Sequence, residues 1–224
     1  MQIDRDTPRR HLGEATDAVA TTLAIALPAT LVALGLALAC LEREERTGES
    51  RPHRGLPLLY VPLLVPQVAF LFGLQVLLLV VGLHDTLAAV ALAHLVFLLP
   101  YVFLALSDPW RALDPRYAQV AAGLGASQNR IFWRVRLPLL ARAVAAAAAL
   151  SIAVSCAQYL PTLLVGGGRI STVTTEAVAL AAGGNRRLVG IYALLQTLLP
   201  LAAFALAAAV PHIFFRKRSG MRAG

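Results

Sequence analysis

Five uninterrupted stretches without Asp, Glu, Lys or Arg dominate this sequence of 224 residues. They contain 24, 30, 22, 26 and 28 residues and lie at 18–41, 55–84, 86–107, 143–168 and 188–215. A hydrocarbon core about 30 Å thick is crossed by about 20 helical residues, each rising about 1.5 Å. Helix is expected because backbone N–H and C=O groups in lipid must pair within their own segment. The sequence therefore predicts an all-α integral membrane protein with five transmembrane helices.

The five spans are expected to form a single transmembrane domain over residues 1–224, since the sequence has no internal repeat or low-complexity linker. Span 2 carries Pro57, Pro62 and Pro66. These prolines should distort its first half, because proline lacks the helical N–H donor and clashes with the preceding turn. The expected spans are 18–41, 56–83, 86–106, 138–164 and 188–215, with a connecting loop at 107–137.

The basic net charge of +8 resides in the gaps between these spans. In a soluble protein a basic balance would suggest nucleic acid as a partner. Only 14% of this chain is charged and 58% is hydrophobic, whereas soluble domains are about one quarter charged. With the C-terminus in the cytoplasm, 14 basic residues fall on the inner side and 6 on the outer side. This distribution agrees with the positive-inside rule and favours that orientation.

The loop between spans 3 and 4 carries a helix–turn–helix pattern. Asp114 before Pro115 is a typical helix start, and Gly125 can end that helix in a left-handed conformation. Ser127 can cap a second helix, around which three arginines lie: Arg130, Arg134 and Arg136. One apolar stripe at helical spacing is formed by Tyr117, Val120, Ala121 and Leu124. Such an elbow either docks a partner protein or caps its own bundle.

This segment resembles the EAA loop of binding-protein-dependent ABC importer permeases, the MetI-like family. The family pattern is Glu-Ala-Ala, three residues, Gly, and Leu-Pro at a fixed distance. Gln119-Val120-Ala121 stands at the Glu-Ala-Ala place, and Gly125 stands at the glycine. Gln119 keeps the size of the family's Glu but removes its charge, and Val120 is bulkier than Ala. Further positions match without insertion: Ala126, Ser127, Phe132, Val135, Leu137 and Pro138.

The resemblance implies a permease subunit of the bacterial inner membrane, multi-pass and with a cytoplasmic C-terminus. Residues 114–127 would be a coupling helix that docks on a separate ABC ATPase subunit, which binds the ATP. This chain would bind no cofactor and would not be an enzyme. A second permease half, identical or homologous, and an outer solute-binding protein would complete the importer. The residues expected at the docking surface are Asp114, Tyr117, Gln119, Val120, Ala121, Leu124, Gly125, Ala126, Ser127, Leu137 and Pro138.

A polar stripe on span 4 is the candidate solute path. Ser151, Ser155 and Gln158 fall at i, i+4 and i+7, and Tyr159 follows. Polar residues on one face of a membrane helix either hold helices together or line a path, so both interpretations stay open. His94 in span 3, without a second titratable group nearby in the sequence, is interpreted as a helix-interface histidine rather than part of a proton relay.

The end of span 4 and the outer segment after it carry the indication of the solute. The stretch from Gln158-Tyr159-Leu160-Pro161-Thr162 through Gly166-Gly167-Gly168-Arg169 to Thr174-Thr175-Glu176 looks most like permeases grouped with thiamine and ferric-iron importers, which implies thiamine, iron or another small cation-type nutrient. Glu176 is the only acid between Arg169 and Arg186. It either meets a cationic ligand or the binding protein, or forms a surface pair with one of those arginines.

Two alternatives to an ABC importer follow from composition alone. A gradient-driven secondary transporter or channel would carry charges or paired polar sites near mid-bilayer, and the five uncharged stretches disfavour it. A membrane enzyme would need a cluster of catalytic His, Asp or Glu at one membrane face. The sequence has no such cluster, no metal-ligand pattern and no phosphate-binding Gly-Lys-Ser/Thr loop.

Overall fold

The computed structural model describes residues 7–47, 56–183 and 186–215, and within these ranges the chain has helices but no strand. The all-α prediction is confirmed. Arg51, Arg54 and the basic tail from Arg216, which entered the orientation argument, lie outside the described residues.

The helices follow the charge-free stretches closely. The first half of the chain forms α1 (Thr7–Thr47), α2 (Leu56–Leu64), α3 (Gln67–Val80) and α4 (Leu87–Arg111). The second half forms α5 (Arg116–Gly123), α6 (Gln128–Ile131), a π-helical turn (Phe132–Arg136), α7 (Leu137–Leu139), α8 (Ala141–Ala157), α9 (Tyr159–Val165), α10 (Val173–Ala182) and α11 (Arg186–Phe215). Three helical segments are long and apolar enough to cross a membrane: Gly13–Thr47, Leu87–Arg111 and Leu188–Ala209.

The other two predicted spans are bent helix pairs, so that the described residues supply up to five spans. Helices α2 and α3 meet at an angle of 120° next to Pro66, which confirms the expected distortion in the first half of span 2. The segment Gln128–Leu139 meets α8 at 73°. The connecting segment is predicted at 107–137. In the structure α4 continues to Arg111, and the helical segment before the second bend continues to Leu139.

Span 4 is also interrupted near its other end. Gln158 has ψ 89° and separates α8 from α9. Pro161 lies four residues after Ala157 and has no N–H to donate to the carbonyl of Ala157, so the helical ladder fails there. The predicted continuous span at 138–164 is therefore wrong at this point.

Helix α1 packs along both α4 and α8 through a stripe of small side chains. Membrane helices approach closely where their facing residues are small. The buried stripe consists of Ala26, Ala29, Ala33 and Ala37. It faces a core that includes Leu98, Val102 and Ala147. The small residues of α1 let it lie close to these side chains of the neighbouring helices.

The two ends of α1 contact different parts of the fold. Near its start, Ala18 packs with Val173 and Tyr192, and the Val173 N–H donates to Thr22 Oγ1 at 3.0 Å. Near its end, α1 reaches residues 129 and 136. We call this second end of the bundle the elbow end, and the end that carries α10 the opposite end.

A tight turn at the opposite end yields a testable prediction. Gly167 has φ +57°, and a β-carbon there would lie 2.3 Å from Asp85 Oδ1. Gly167→Ala should lower the free energy of unfolding by about 2 kcal/mol, because a left-handed non-glycine residue and a steric clash add. Thermal unfolding of the detergent-solubilised protein measures this. Gly73→Ala, in α3 with open space at the β-carbon, should be neutral or stabilising, and equal melting temperatures for the two variants would contradict the prediction.

Candidate functional site: the elbow and the buried polar cluster

The elbow, residues 114–138, has the predicted helix–turn–helix geometry around Gly125. Asp114 Oδ1 accepts the Arg116 N–H at 2.9 Å, but the cap position of α5 is occupied by Pro115, one residue after the predicted Asp114. Gly125 adopts φ +80°. The Ala126 N–H donates to the Ala121 carbonyl at 3.0 Å, and the Gly125 N–H donates to Ala122 at 2.9 Å. This is the Schellman arrangement, which requires the left-handed residue that glycine supplies.

The apolar stripe of α5 is uncovered. Tyr117 is 54% exposed, Val120 64% and Leu124 83%, and α5 contributes no buried residue to the bundle. We call these three residues the docking ridge. The neighbouring predicted residues differ in exposure: Gln119, Gly125 and Ser127 are exposed, and Ala121 and Ala126 are half-buried. The bundle of this chain therefore leaves these three side chains uncovered.

The second arm of the elbow turns back into the bundle. Ser127 stands at the cap position of α6, but its side chain makes no capping hydrogen bond there. Ile131 is buried, and the ring centroid of Phe132 lies 6.3 Å from that of Trp110 on α4. Leu137 and Pro138 are half-buried and line an apolar groove of about 930 Å³ between α8 and α11.

Arg136 is the residue that sequence reasoning misplaced. It was expected among arginines around the ridge, yet its side chain is only 8% exposed. Its Nη1 donates to Glu42 Oε2 at 2.7 Å and its Nη2 donates to Glu45 Oε1 at 3.0 Å. Arg46 Nε donates to Glu42 Oε1 at 2.8 Å. We call these four side chains the clamp.

The sequence carried one signal for the clamp. Glu42, Glu45 and Arg46 follow directly on the first charge-free stretch, at spacings of three and four that place them on one side of a continuing helix. The predicted span 1 ends at residue 41, however, which would leave these residues in a loop.

A buried polar cluster joins α8 and α9 to α1 and α4. Ser151 Oγ lies 2.9 Å from Thr30 Oγ1. His94 lies between two hydroxyls, with Nδ1 2.8 Å from Ser155 Oγ and Nε2 2.9 Å from Thr162 Oγ1. All five side chains are buried. His94 thus has the helix-interface environment interpreted from the sequence, and the predicted stripe supplies its partner Ser155.

Gln158 completes this cluster at the break between α8 and α9. Its Nε2 donates to the His94 carbonyl at 3.4 Å, and its own carbonyl accepts from Thr162 Oγ1 at 2.8 Å. Its Oε1 is buried and has no hydrogen-bond partner among the described residues. Tyr159, the next residue, is half-buried.

Glu176 lies apart from this cluster, at the opposite end. It is half-buried and lines a cavity of about 620 Å³ together with Glu14, Asp17 and Arg169. The ion-pair partner of Arg169 is Asp85, with Nη1 3.8 Å from Oδ2. The side chain of Arg186, the other arginine considered for Glu176, lies outside the part of the chain that the structure describes.

The buried cluster gives a second testable prediction. Thr162→Val should destabilise the protein by about 1–3 kcal/mol, because it leaves a buried imidazole nitrogen and a buried carbonyl without their hydroxyl partner. Thr197→Val is the matched control, since Thr197 is exposed and bonds only its own helix, to the Ala193 carbonyl. Thermal unfolding should separate the two variants. A melting temperature of Thr162→Val equal to that of the control would contradict the role given to His94.

Comparison with known proteins agrees with this architecture. The sequence profile of the family described as binding-protein-dependent transport system inner membrane component matches residues 19–216. The inner membrane ABC transporter permease protein YnjC of Escherichia coli K12 is 38% identical over 207 residues, which cover 92% of this chain and 39% of YnjC.

Two further relatives match shorter regions. The molybdenum transport system permease protein ModB of Mycobacterium bovis is 33% identical over 131 residues, covering 53% of this chain and 50% of ModB. The spermidine/putrescine transport system permease protein PotC of Haemophilus influenzae is 28% identical over 149 residues, covering 66% of this chain and 58% of PotC. This chain thus spans less than two thirds of the length of each of these relatives. Because the family profile covers most of the chain, the protein belongs to the binding-protein-dependent ABC transporter permeases of the inner membrane.

Proposed function

We propose that this chain forms one half of the solute path of an ABC importer and docks on a separate ATPase through the elbow. The docking ridge carries this proposal, because its apolar side chains are exposed on a helix that the bundle does not cover. Most of the other exposed Leu and Val side chains in the described chain lie on the long apolar helices or bent helix pairs that could face lipid. On α5, only eight residues long, a protein groove is the matching environment.

A second permease half is part of the same proposal. The region matched in YnjC is 39% of that protein, and we take this chain as one half of a permease that is fused in relatives. The partner half, identical or homologous, would face this chain across the path, and an outer solute-binding protein would deliver the solute. The elbow end and the C-terminus are placed in the cytoplasm, as the distribution of basic residues favours.

For the solute we propose a small cation, with thiamine and iron as the candidates from the sequence. The support is the cavity at the opposite end, lined by the acidic residues Glu14, Asp17 and Glu176, where Arg169 is paired with Asp85. Relatives are named for molybdenum and for spermidine/putrescine transport. Carboxylates attract cations and repel anions. The acidic lining therefore favours a cationic solute, as in the spermidine/putrescine system for which PotC is named.

The candidate path residues divide into two groups. Ser151, Ser155 and Gln158 bond to Thr30 and His94 inside this chain, and we assign to them the holding of helices beside the path. Tyr159 and Glu176 are half-buried and remain the residues proposed to meet solute.

Co-purification tests the proposed function. The tagged chain is co-expressed with candidate ABC ATPases and permeases of the source genome, solubilised and captured. We expect an ATPase and a second permease in the captured complex, and uptake in vesicles that requires ATP. Association of no ATPase, together with uptake that stops when the ion gradient is collapsed while ATP is present, would support a gradient-driven transporter instead. Uptake of labelled thiamine, ferric iron and putrescine, with molybdate as the anionic comparison, tests the solute class.

A further inference from the structure

We propose that Arg136 is a positioning residue: through the clamp it fixes the docking elbow to the end of α1, so that the first helix moves with the elbow. The inference rests on the proposed function of the elbow. In the sequence the elbow connects spans 3 and 4. The clamp would attach it to a third helix, α1, as well.

Burial makes the clamp more than a surface ion pair. The side chains of Arg136 and Glu42 are 8% and 9% exposed, and their atoms lie 2.7 Å apart. Two carboxylates share the fork of one guanidinium, whose carbon also lies 5.7 Å from the Trp110 ring centroid. Exposed pairs contribute little to stability. A buried pair that loses one partner leaves an uncompensated charge and is strongly destabilised, so the clamp resists separation of the elbow from α1.

The elbow has few other attachments among the described residues. Helix α5 buries no side chain, and a groove of about 370 Å³ separates it from the end of α1, lined in part by Glu45, Gln119 and Arg136. Ile131 is buried, and Phe132 packs against the core of the bundle that includes Trp110 of α4. Arg46 adds a second link, since its Nη2 donates to Asn129 Oδ1 at 2.9 Å. The polar links from the elbow to α1 thus come from Asn129 and Arg136.

The π-helical turn explains how Arg136 reaches this position. A π-turn adds a residue to a helical turn and rotates the following side chains relative to an α-helix. In this chain the turn covers Phe132–Arg136. It leaves Trp133 and Arg134 exposed while Arg136 is buried. The irregular turn is therefore placed where the elbow meets α1.

Through α1 the clamp connects the elbow to the opposite end of the bundle. Within α1, 20 residues separate Glu42 from Thr22, which corresponds to about 30 Å at about 1.5 Å per residue. Thr22 holds α10 through its hydrogen bond with the Val173 N–H. Through α1 a displacement of the elbow is passed to α10, and the clamp is where the displacement enters this helix.

Protease sensitivity of the full chain in inside-out membrane vesicles tests the clamp without any ATPase. Arg116 is the exposed first residue of α5, and trypsin cleaves the bond after it rapidly when the first turn of this helix opens. Arg136→Gln and Glu42→Gln should each speed this cleavage by about tenfold or more, as expected for loss of one member of a buried pair. Arg130→Gln is the matched control, since Arg130 is exposed in the same elbow, and it should be cleaved at the wild-type rate.

The double variant Glu42→Gln/Arg136→Gln distinguishes a pair from two independent residues. The increase in its cleavage rate should be smaller than the product of the two single effects, because either single substitution already removes the direct contact between Arg136 and Glu42. A multiplied effect, or wild-type cleavage of Arg136→Gln, would overturn the clamp. If Arg136→Gln fails to accumulate, Arg136→Lys is measured instead, since lysine keeps the charge but cannot bond both carboxylates as the guanidinium fork does, and a wild-type rate there overturns the clamp as well.

A transport readout separates positioning from simple stability. In the assembled importer, Arg136→Gln should retain the ATPase but move less solute for each ATP hydrolysed, and Arg136→Lys should recover part of this ratio. An unchanged ratio would overturn the positioning role. If the chain binds no ATPase at all, the proposed function fails while the cleavage result still stands, so that the two failures are distinguishable.

Discussion

Leu124→Asp should abolish capture of the ATPase while leaving the chain in the membrane at its normal level. Leu124 is 83% exposed, so an aspartate there removes almost no internal packing and should cost the isolated chain little. In the proposed complex this side chain is buried against the ATPase. An unpaired carboxylate in an apolar contact is expensive, and loss of a central apolar anchor costs about 2 kcal/mol or more. We expect affinity to fall by roughly 100-fold or more.

Ala122→Asp provides the control for this prediction. Ala122 is on the same helix and is exposed, but two residues at about 100° each place it on the far side of α5 from Leu124. The same charge is therefore introduced two residues away, on the side of α5 opposite to Leu124. Capture with immobilised ATPase, measured against membrane-inserted chain, should show loss for Leu124→Asp alone. Equal retention by both variants would show that the ridge does not dock the ATPase.

The elbow could be read from the sequence because its geometry is local. Asp114, Pro115 and Gly125 act on backbone within a few residues, so their types alone indicate where a helix begins and ends. The docking ridge follows from helical spacing in the same way. What a local pattern does not contain is the identity of the surface that covers it.

The clamp and the polar cluster could not be read in this way, because their partners are distant in sequence. Arg136 meets Glu42 across 94 positions, and His94 meets Ser155 across 61. Helical periodicity places Ser151 and Ser155 on one face but does not say which helix faces them. The break at Gln158 was also missed, although Pro161 three residues later is a local signal for it.

Ala33→Leu should be the most destabilising change within the bundle. Ala33 is 0% exposed and lies in the core that α1 shares with α4 and α8. Three added carbon atoms have no space there, so the backbones must separate along a stripe that depends on small residues. Overpacking of this kind costs about 1–3 kcal/mol and sometimes more. We expect a loss of about 3 kcal/mol because α1 contacts both helices at this level.

Ala39→Leu is the matched control, since Ala39 belongs to the same helix and is exposed. On a membrane helix, an added exposed Leu meets lipid and should be tolerated. Thermal unfolding in detergent should therefore show a lower melting temperature for Ala33→Leu only. Because Ala33 lies between the clamp and Thr22 along α1, the same variant should also weaken the connection between the elbow and α10. Solute uptake per ATP should then fall in Ala33→Leu even at temperatures where the protein remains folded, whereas a normal ratio would show that α1 packs the bundle without transmitting motion through it.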